Sequence, residues 1–143
     1  MVGLIVIGHG NFATGITSSL ELIMGMPKDY IPIDFIDTDS KLDLEKKIDL
    51  GLNHLDYCDE IIVFVDLFGG TPFNIAMEKR ITYSKIRVFY GVNLGMLMTI
   101  VSQRNFNSDC SEITKNLVSV AREQIGEFTP DQLEAFENND DEL

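Results

Sequence analysis

Basic residues are scarce in this sequence of 143 residues, which has 11 lysines and arginines against 23 aspartates and glutamates. The resulting formal net charge of −12 argues against a nucleic acid as partner, because the phosphates would be repelled. An acidic surface instead suits a protein partner with a basic face, since opposite electric fields speed the encounter of two proteins.

Cysteines and long apolar runs are also scarce. Cys58 and Cys110 make neither a disulfide framework nor a metal cluster, so we expect reduced thiols in a cytoplasmic protein. The apolar stretch at residues 2–7 is too short for a membrane span, and no basic residues precede it as they would in a signal peptide. With no repeat, linker or low-complexity insert, we expect one domain at residues 1–136 and a disordered acidic tail at 137–143.

Apolar segments alternate along the chain with amphipathic helical patterns. The apolar segments predict strands at residues 4–7, 30–35, 61–65 and 86–90. The helical patterns lie at residues 11–24, 41–55, 72–81, 94–103 and from about 110 to 124. This alternation predicts an α/β fold, a doubly wound and mainly parallel sheet of four central strands with helices on both faces. Residues 125–128 are predicted as a short edge strand, and an amphipathic turn follows at Thr129.

Glycine-bearing loops follow three of the predicted strands, at residues 8–10, 66–74 and 91–93. Ligands of such sheets bind beyond the carboxyl ends of the strands, so the functional site is expected there. The first loop has two interpretations. Residues 8–13 fit the dinucleotide fingerprint G-x-G-x-x-G/A, with Asp34 at about the distance of a ribose-binding carboxylate. The chain is short for that function, and the fingerprint explains neither the histidine nor the second glycine loop.

The other interpretation makes His9, which lies between Gly8 and Gly10, a nucleophile. A neutral imidazole has a lone pair at physiological pH, and its phosphoramidate can pass the phosphoryl group on. The flanking glycines leave room for the close approach that in-line transfer between two proteins requires. Asp66, at the end of a neighbouring strand, could accept a hydrogen bond from one ring nitrogen and leave the other nitrogen free to attack.

The second glycine loop can bind an anion. The backbone N–H groups of Gly69, Gly70 and Thr71, together with the Thr71 hydroxyl, would surround a phosphoryl group at a helix start. The pattern predicts Thr71 as the N-cap and Pro72 as the first helical residue. No metal site is predicted, because no second ligand set complements the acidic residues near Asp34.

Three blocks of sequence resemble the mannose-type enzyme IIA of the bacterial phosphoenolpyruvate-dependent sugar phosphotransferase system. They are Ile-Gly-His-Gly at 7–10, Val-Asp-Leu-Phe-Gly-Gly-Thr-Pro-Phe-Asn at 65–74 and Gly-Val-Asn-Leu-Gly-Met-Leu at 91–97. The resemblance extends over residues 1 to about 128, in the right order and spacing.

This resemblance implies that His9 takes a phosphoryl group from the phosphocarrier protein HPr and passes it to a histidine of enzyme IIB. Enzyme IIB then phosphorylates the sugar that enters through the membrane subunits IIC and IID. Asp66 would be the partner of His9, and Thr71 would lie near the phosphate. The family needs no cofactor, and its members form homodimers that exchange a C-terminal antiparallel edge strand, here residues 125–128. Because the sequence has no Ala/Pro-rich linker, a separate enzyme IIB is expected.

Residues around His9 are the predicted contacts of these partners, namely Gly8, Gly10, Phe12 and Phe68. Two alternatives remain open within the same fold. The chain could be the phosphoryl-donor subunit of a dihydroxyacetone kinase, or a regulatory domain that phosphorylation of His9 switches.

Overall fold

A computed structural model describes residues 1–139 of the chain. The strands are β1 (Val2–His9), β2 (Tyr30–Phe35), β3 (Glu60–Val65) and β4 (Ile86–Tyr90). The helices of the described residues are α1 (Phe12–Met24), α2 (Lys41–His54), α3 (Gly70–Thr82), α4 (Leu94–Arg104), α5 (Cys110–Thr114), α6 (Leu117–Glu123) and α7 (Pro130–Asn138). None of these helices combines the length and the apolarity needed to cross a membrane.

The four strands form one sheet in the order β2-β1-β3-β4, and every pairing in it is parallel. The predicted α/β fold class and its four central strands are therefore confirmed. The chain runs from β1 outward to β2 and then returns to place β3 on the other side of β1. The strand order thus reverses between β1 and β3, and ligands of such sheets bind at this point.

Both faces of the sheet are buried, as the continuous apolar runs in β1 and β3 predict. Successive residues of a strand point to opposite faces, so Leu4 and Val6 pack on one side and Ile5 and Ile7 on the other. The first face carries α1, α4, α5 and α6, whereas the second carries α2 and α3. The sheet is thereby held rigidly, with the carboxyl ends of its strands open to a binding partner.

Gly8, the buried residue before His9, has no room for a side chain. A Cβ at this position would lie 2.5 Å from Cδ1 and 2.8 Å from Cβ of Phe12. We expect Gly8→Ala to lower the free energy of unfolding by about 1–3 kcal/mol, because overpacking forces the start of α1 away from the sheet. Urea unfolding would measure this loss. Gly15→Ala is the control, since nothing lies within 4 Å of its Cβ and alanine favours a helix; equal effects of the two changes would contradict the prediction.

The single helix predicted from about 110 to 124 is wrong in one respect, because the structure divides it into α5 and α6. The N–H of Lys115 bonds to the carbonyl of Glu112, which tightens the last turn of α5, and Asn116 then leaves the helical conformation. Ile113 and Leu117 remain buried on either side of the break. The apolar spacing predicts which residues are buried but contains no signal for the turn.

The two C-terminal predictions have different outcomes. Residues 125–128 pair with no strand among residues 1–139. The predicted edge strand pairs with a second copy, which a single chain does not contain, so it stays a prediction. The predicted disordered tail began at residue 137, but α7 continues to Asn138 because Thr129, Pro130 and Gln132 start it strongly. Residues 140–143 of that tail lie outside the described residues.

Candidate active site

His9 and Asp66 meet where the strand order of the sheet reverses. His9 is the last residue of β1, and Asp66 directly follows β3, the strand paired with it. Parallel strands end at the same edge of a sheet, so the two side chains lie together. The imidazole Nδ1 of His9 is 2.7 Å from Oδ2 of Asp66. This is the hydrogen bond that the sequence suggested between the two residues.

The Asp66 carboxylate accepts three hydrogen bonds at fixed positions. Its Oδ2 accepts from the backbone N–H of His9 at 2.9 Å as well as from the ring, and its Oδ1 accepts from the N–H of Leu67 at 2.9 Å. The Asp66 side chain is only 10% exposed, whereas the His9 side chain is 45% exposed. A carboxylate can only accept, so we assign the proton of neutral His9 to Nδ1 and the lone pair to Nε2. The lone pair of neutral His9 therefore lies on Nε2, the ring nitrogen that does not contact Asp66.

The helix after the second glycine loop begins earlier than predicted. Its N-cap is Gly69 and its first residue is Gly70, rather than Thr71 and Pro72. Gly69 and Gly70 have φ angles of +87° and +83°, a left-handed region that only glycine adopts readily. The prediction was wrong because the Thr-Pro pair is a common helix start, whereas two adjacent glycines allow the turn two residues sooner.

This early start brings the amino end of α3 against the imidazole. A Cβ on Gly70 would lie 3.4 Å from Cε1 and 3.6 Å from Nε2 of His9. The first N–H groups of a helix have no acceptor within it, and no hydrogen bond among residues 1–139 uses the N–H of Gly69, Gly70 or Thr71. Thr71 is half-buried in the first turn. N–H groups without an acceptor therefore lie in the turn next to Nε2 of His9, at a helix end that favours a negative group.

With His9 as the predicted phosphoryl acceptor, we expect Gly70→Ala to slow the transfer about 10- to 100-fold, because the new methyl group lies in contact with the ring and occupies space beside Nε2 that the phosphoryl group needs. Gly69→Ala is a matched control, since Gly69 has nearly the same φ but nothing within 4 Å of its Cβ. Both variants should be destabilised by about 1–3 kcal/mol from backbone strain. Rapid-quench kinetics would compare their transfer rates. Equal slowing in the two variants would mean that strain, not contact with the ring, is responsible.

The other predicted site residues have different positions. Gly10 is exposed with φ +59° and open space around it, and Phe68 is 73% exposed. Phe12 is half-buried against the core, and Gly8 is buried, so a direct partner contact by Gly8 is not possible. Gly8 instead makes room for the Phe12 ring.

Two aromatic neighbours were missed by sequence reasoning. The ring centroid of Phe35 lies 5.9 Å from that of His9, and the ring centroid of Tyr90 lies 4.8 Å from that of Phe68. Phe35 is the last residue of β2 and Tyr90 the last residue of β4. Because parallel strands end at the same sheet edge, the sequence could have predicted both aromatic residues near His9.

Asp34, the carboxylate considered for ribose or metal binding, and Asn93 of the third glycine-bearing loop both have structural partners. Both oxygens of Asp34 accept hydrogen bonds from Thr14, at 3.0 Å from its N–H and 2.6 Å from its hydroxyl, so this carboxylate fixes the start of α1. Asn93 caps α4 by accepting from Met96 N–H. Residues 1–139 contain no group of three or more side chains that could hold a metal ion.

The two cysteines are poor nucleophiles. Both are buried, and burial raises the pKa of the Cys58 thiol. Burial and a hydrogen bond with Glu60 raise the pKa of Cys110 to about 12. Reactive thiols need the opposite shift, so neither cysteine is a candidate nucleophile.

The geometry agrees with the comparison to known families. The family model described as "PTS system fructose IIA component" (EIIA-man) matches residues 3–118. The chain belongs to this family. Members of the mannose-type EIIA family are phosphotransferase components of sugar transport systems. The matched residues include His9, Asp66 and the turn at 69–71.

Named relatives of this EIIA chain differ in sugar and in length. It is 27% identical over 125 residues to the fructose-specific EIIA component of Bacillus subtilis, covering 87% of this chain and 85% of that protein. It is 30% identical over 122 residues to the mannose-specific EIIAB component of Escherichia coli K12, covering 85% of this chain but only 38% of that protein.

Solved structures agree with the fold. The EIIA component of Streptococcus agalactiae superposes with a TM-score of 0.81 at 35% identity, covering 90% of this chain and 98% of that one. The mannose/sorbose-specific IIA subunit of Enterococcus faecalis gives a TM-score of 0.77 at 25% identity, covering 87% and 92%.

Proposed function

We propose that this EIIA chain is a phosphoryl carrier in which His9 accepts a phosphoryl group from phospho-HPr and donates it to a histidine of enzyme IIB. The observation that carries the proposal is the 2.7 Å contact between Nδ1 of His9 and the Asp66 carboxylate, with Nε2 beside the amino end of α3. This arrangement orients a neutral imidazole for attack and places hydrogen-bond donors around the product.

In the first transfer, the lone pair of Nε2 attacks the phosphorus atom of phospho-HPr. The new N–P bond forms as the old one breaks, and the electron pair returns to the departing imidazole of HPr, which is then free to take up a proton. Asp66 stabilises the positive charge that develops on the His9 ring and keeps the proton on Nδ1. The second transfer repeats these events with His9 as the leaving group and a histidine of IIB as the nucleophile.

The turn at 69–71 would stabilise the phosphoryl group on Nε2. The N–H groups of Gly69, Gly70 and Thr71 are available as donors, the Thr71 hydroxyl is a fourth, and the helix dipole of α3 favours negative charge at this end. Such donors are aligned before the reaction and therefore need no rearrangement during it.

The surface around His9 suits a transient protein complex. Gly10 leaves the approach to the imidazole open, and the exposed rings of Phe68 and Tyr90 provide an apolar contact beside it. Phe12 supports this surface from its half-buried position. Because the chain has a net charge of −12, these contacts favour a carrier with a basic face, and we expect HPr to present one.

We propose a cytoplasmic setting in which the phosphoryl group continues through a separate enzyme IIB to a sugar transported by IIC and IID. The Bacillus subtilis relative, 85% of which this chain covers, is named as an EIIA component alone. None of these transfer steps requires a cofactor, because the activated phosphoryl group comes from the donor protein.

Reconstitution would test this proposal. The purified chain is incubated with phosphoenolpyruvate, enzyme I and HPr, and acid-labile phosphoryl groups on it are measured before and after addition of IIB. We expect one phosphoryl group per chain, strict dependence on HPr, and loss of the group to IIB. Absence of uptake in the complete mixture would overturn the proposal.

The same experiment separates the alternatives. A regulatory domain would accept the group but would not pass it to IIB. A donor subunit of a dihydroxyacetone kinase would pass the group to that kinase when it is added, and not to IIB. The relatives described above carry names of sugar phosphotransferase components, which favours transfer to IIB.

We also propose that the chain is a homodimer that uses the β4 edge of the sheet. At the opposite edge, Pro32 interrupts the N–H groups of β2, and Lys47 donates to the carbonyl of Asp34 at 3.0 Å. Proline and lysine are common blocks to strand addition. Strand β4 contains no proline, so its outer edge can pair with residues 125–128 of a second copy.

A further inference from the structure

Helix α7 lies outside the residues that match the EIIA family, which end at 118. Its start is nevertheless strongly specified. Thr129 and Gln132 form a reciprocal capping box, Pro130 occupies the first turn, and the Phe128 ring packs edge-on against Phe136 with centroids 6.2 Å apart. The sequence therefore specifies a helix here, in addition to the family domain.

The apolar face of α7 is uncovered in the single chain. Phe128, Leu133 and Phe136 are 63%, 45% and 50% exposed, and no residue of the helix is buried. A nine-residue helix is marginal in water without packing. The capping signals and the exposed rings together indicate a helix that packs against another surface.

The charge of α7 restricts the nature of that surface. The helix carries Asp131, Glu134 and Glu137, and no lysine or arginine occurs after Arg122. Helices that lie on membranes are usually rich in basic residues, since lipid surfaces are anionic. A basic protein surface with apolar residues is the matching partner.

Such a surface lies along the outer edge of β4, and we call it the β4-edge surface. It consists of two adjoining grooves that share Val88 and Phe89. One groove exposes Tyr90 and Val118 beside Arg122, and the other contains Arg80, Lys85 and Arg87 together with Asp59 and Glu60. Glu60 pairs with Arg87, and Asp56 pairs with Lys85. Four of the 11 basic residues of this acidic chain therefore lie on this surface, and Arg80 and Arg122 form no ion pair within residues 1–139.

We propose that α7 of one copy packs on the β4-edge surface of a second copy, with its rings on the apolar groove and its carboxylates toward the arginines. The single chain leaves both surfaces open, and a twofold exchange covers both on each copy at once. Residues 125–128 take the hydrogen-bonding edge of β4 itself in the proposed homodimer, and Thr129 joins them to α7, which packs on the grooves beside that strand. This inference rests on the proposed homodimer but is independent of phosphoryl transfer by His9.

A charge inserted into the apolar face of α7 tests this contact. Sedimentation velocity over a range of concentrations would compare the full chain with the double variant Leu133→Asp/Phe136→Asp. We expect the dimer dissociation constant to rise about tenfold or more, because two buried anchors are lost. Leu22→Asp/Leu50→Asp is the matched control, since both leucines are exposed on α1 and α2, away from the β4 edge, and should leave the constant unchanged.

Hydrogen exchange gives a second measurement. The amides of α7 should be protected above the dissociation constant and lose protection below it. A full chain that is monomeric throughout would overturn the homodimer itself. If the double variant does not weaken the dimer, the α7 contact is wrong and the homodimer stands. If the amides of α7 are protected equally at all concentrations, α7 docks on its own chain, and the α7 contact between copies is again wrong. Phosphoryl acceptance by His9 should persist in the double variant.

Discussion

His9→Ala should abolish phosphoryl uptake from phospho-HPr, whereas His54→Ala should retain it. The chain has only these two histidines, and both are exposed. His54 lies in the last turn of α2, where a cation is favourable, with no carboxylate or helix start arranged around it in the described residues. His9 has both. Uptake would be measured as acid-labile label per chain after incubation with phosphoenolpyruvate, enzyme I and HPr.

The pair of variants makes this result specific. Removing His9 leaves the Asp66 carboxylate bonded to the N–H groups of residue 9 and Leu67, so the fold should survive, which circular dichroism and urea unfolding would check. Label on both variants would place the phosphoryl group on another residue. Label on His9→Ala but not on His54→Ala would identify His54 as the acceptor.

Asp66→Asn should lower the rate of transfer about 100- to 10,000-fold with little loss of affinity for HPr. The carboxylate accepts from the ring on one oxygen and from Leu67 on the other, whereas an amide presents one acceptor and one donor. Either the bond to Leu67 is lost, or the amide donates to Nδ1 and the proton moves to Nε2. The second arrangement removes the nucleophilic lone pair. Single-turnover kinetics by rapid quench would give both the rate and the affinity.

Asp37→Asn is the control for the charge alone. Asp37 follows β2 at the same sheet edge, is exposed, and makes no hydrogen bond within residues 1–139. Its neutralisation alters the electric field at the site without touching His9. If both variants transfer at the wild-type rate, Asp66 is only structural. If both are slowed equally, its effect is electrostatic at long range.

Much of the fold could be predicted from the sequence because two periodicities dominate it. The apolar runs at β1 and β3 have no polar interruptions, which is typical of strands buried on both faces. The spacing of Leu44, Ile48 and Leu52 likewise predicts the buried face of α2. Since parallel strands end at one edge, the meeting of His9 with Asp66 followed from topology alone.

Other features depend on contacts that no local pattern encodes. The helix begins at Gly70, two residues before the predicted Pro72, and its first turn thereby lies against the imidazole of His9, a residue 61 positions earlier. The capping of α1 by Asp34 also depends on a partner distant in sequence. Residues 125–128 have no partner in one chain, so their state depends on assembly.

The central claim is that Asp66 holds the proton of His9 on Nδ1, so that Nε2 carries the phosphoryl group. The most direct measurement is a long-range proton–nitrogen NMR spectrum of the chain, labelled with nitrogen-15 histidine, before and after phosphorylation through HPr. We predict that the free protein has the Nδ1–H form of His9 and that phosphorylation shifts Nε2 of His9 alone. A phosphoryl group on Nδ1 of His9, or on His54, would contradict the account.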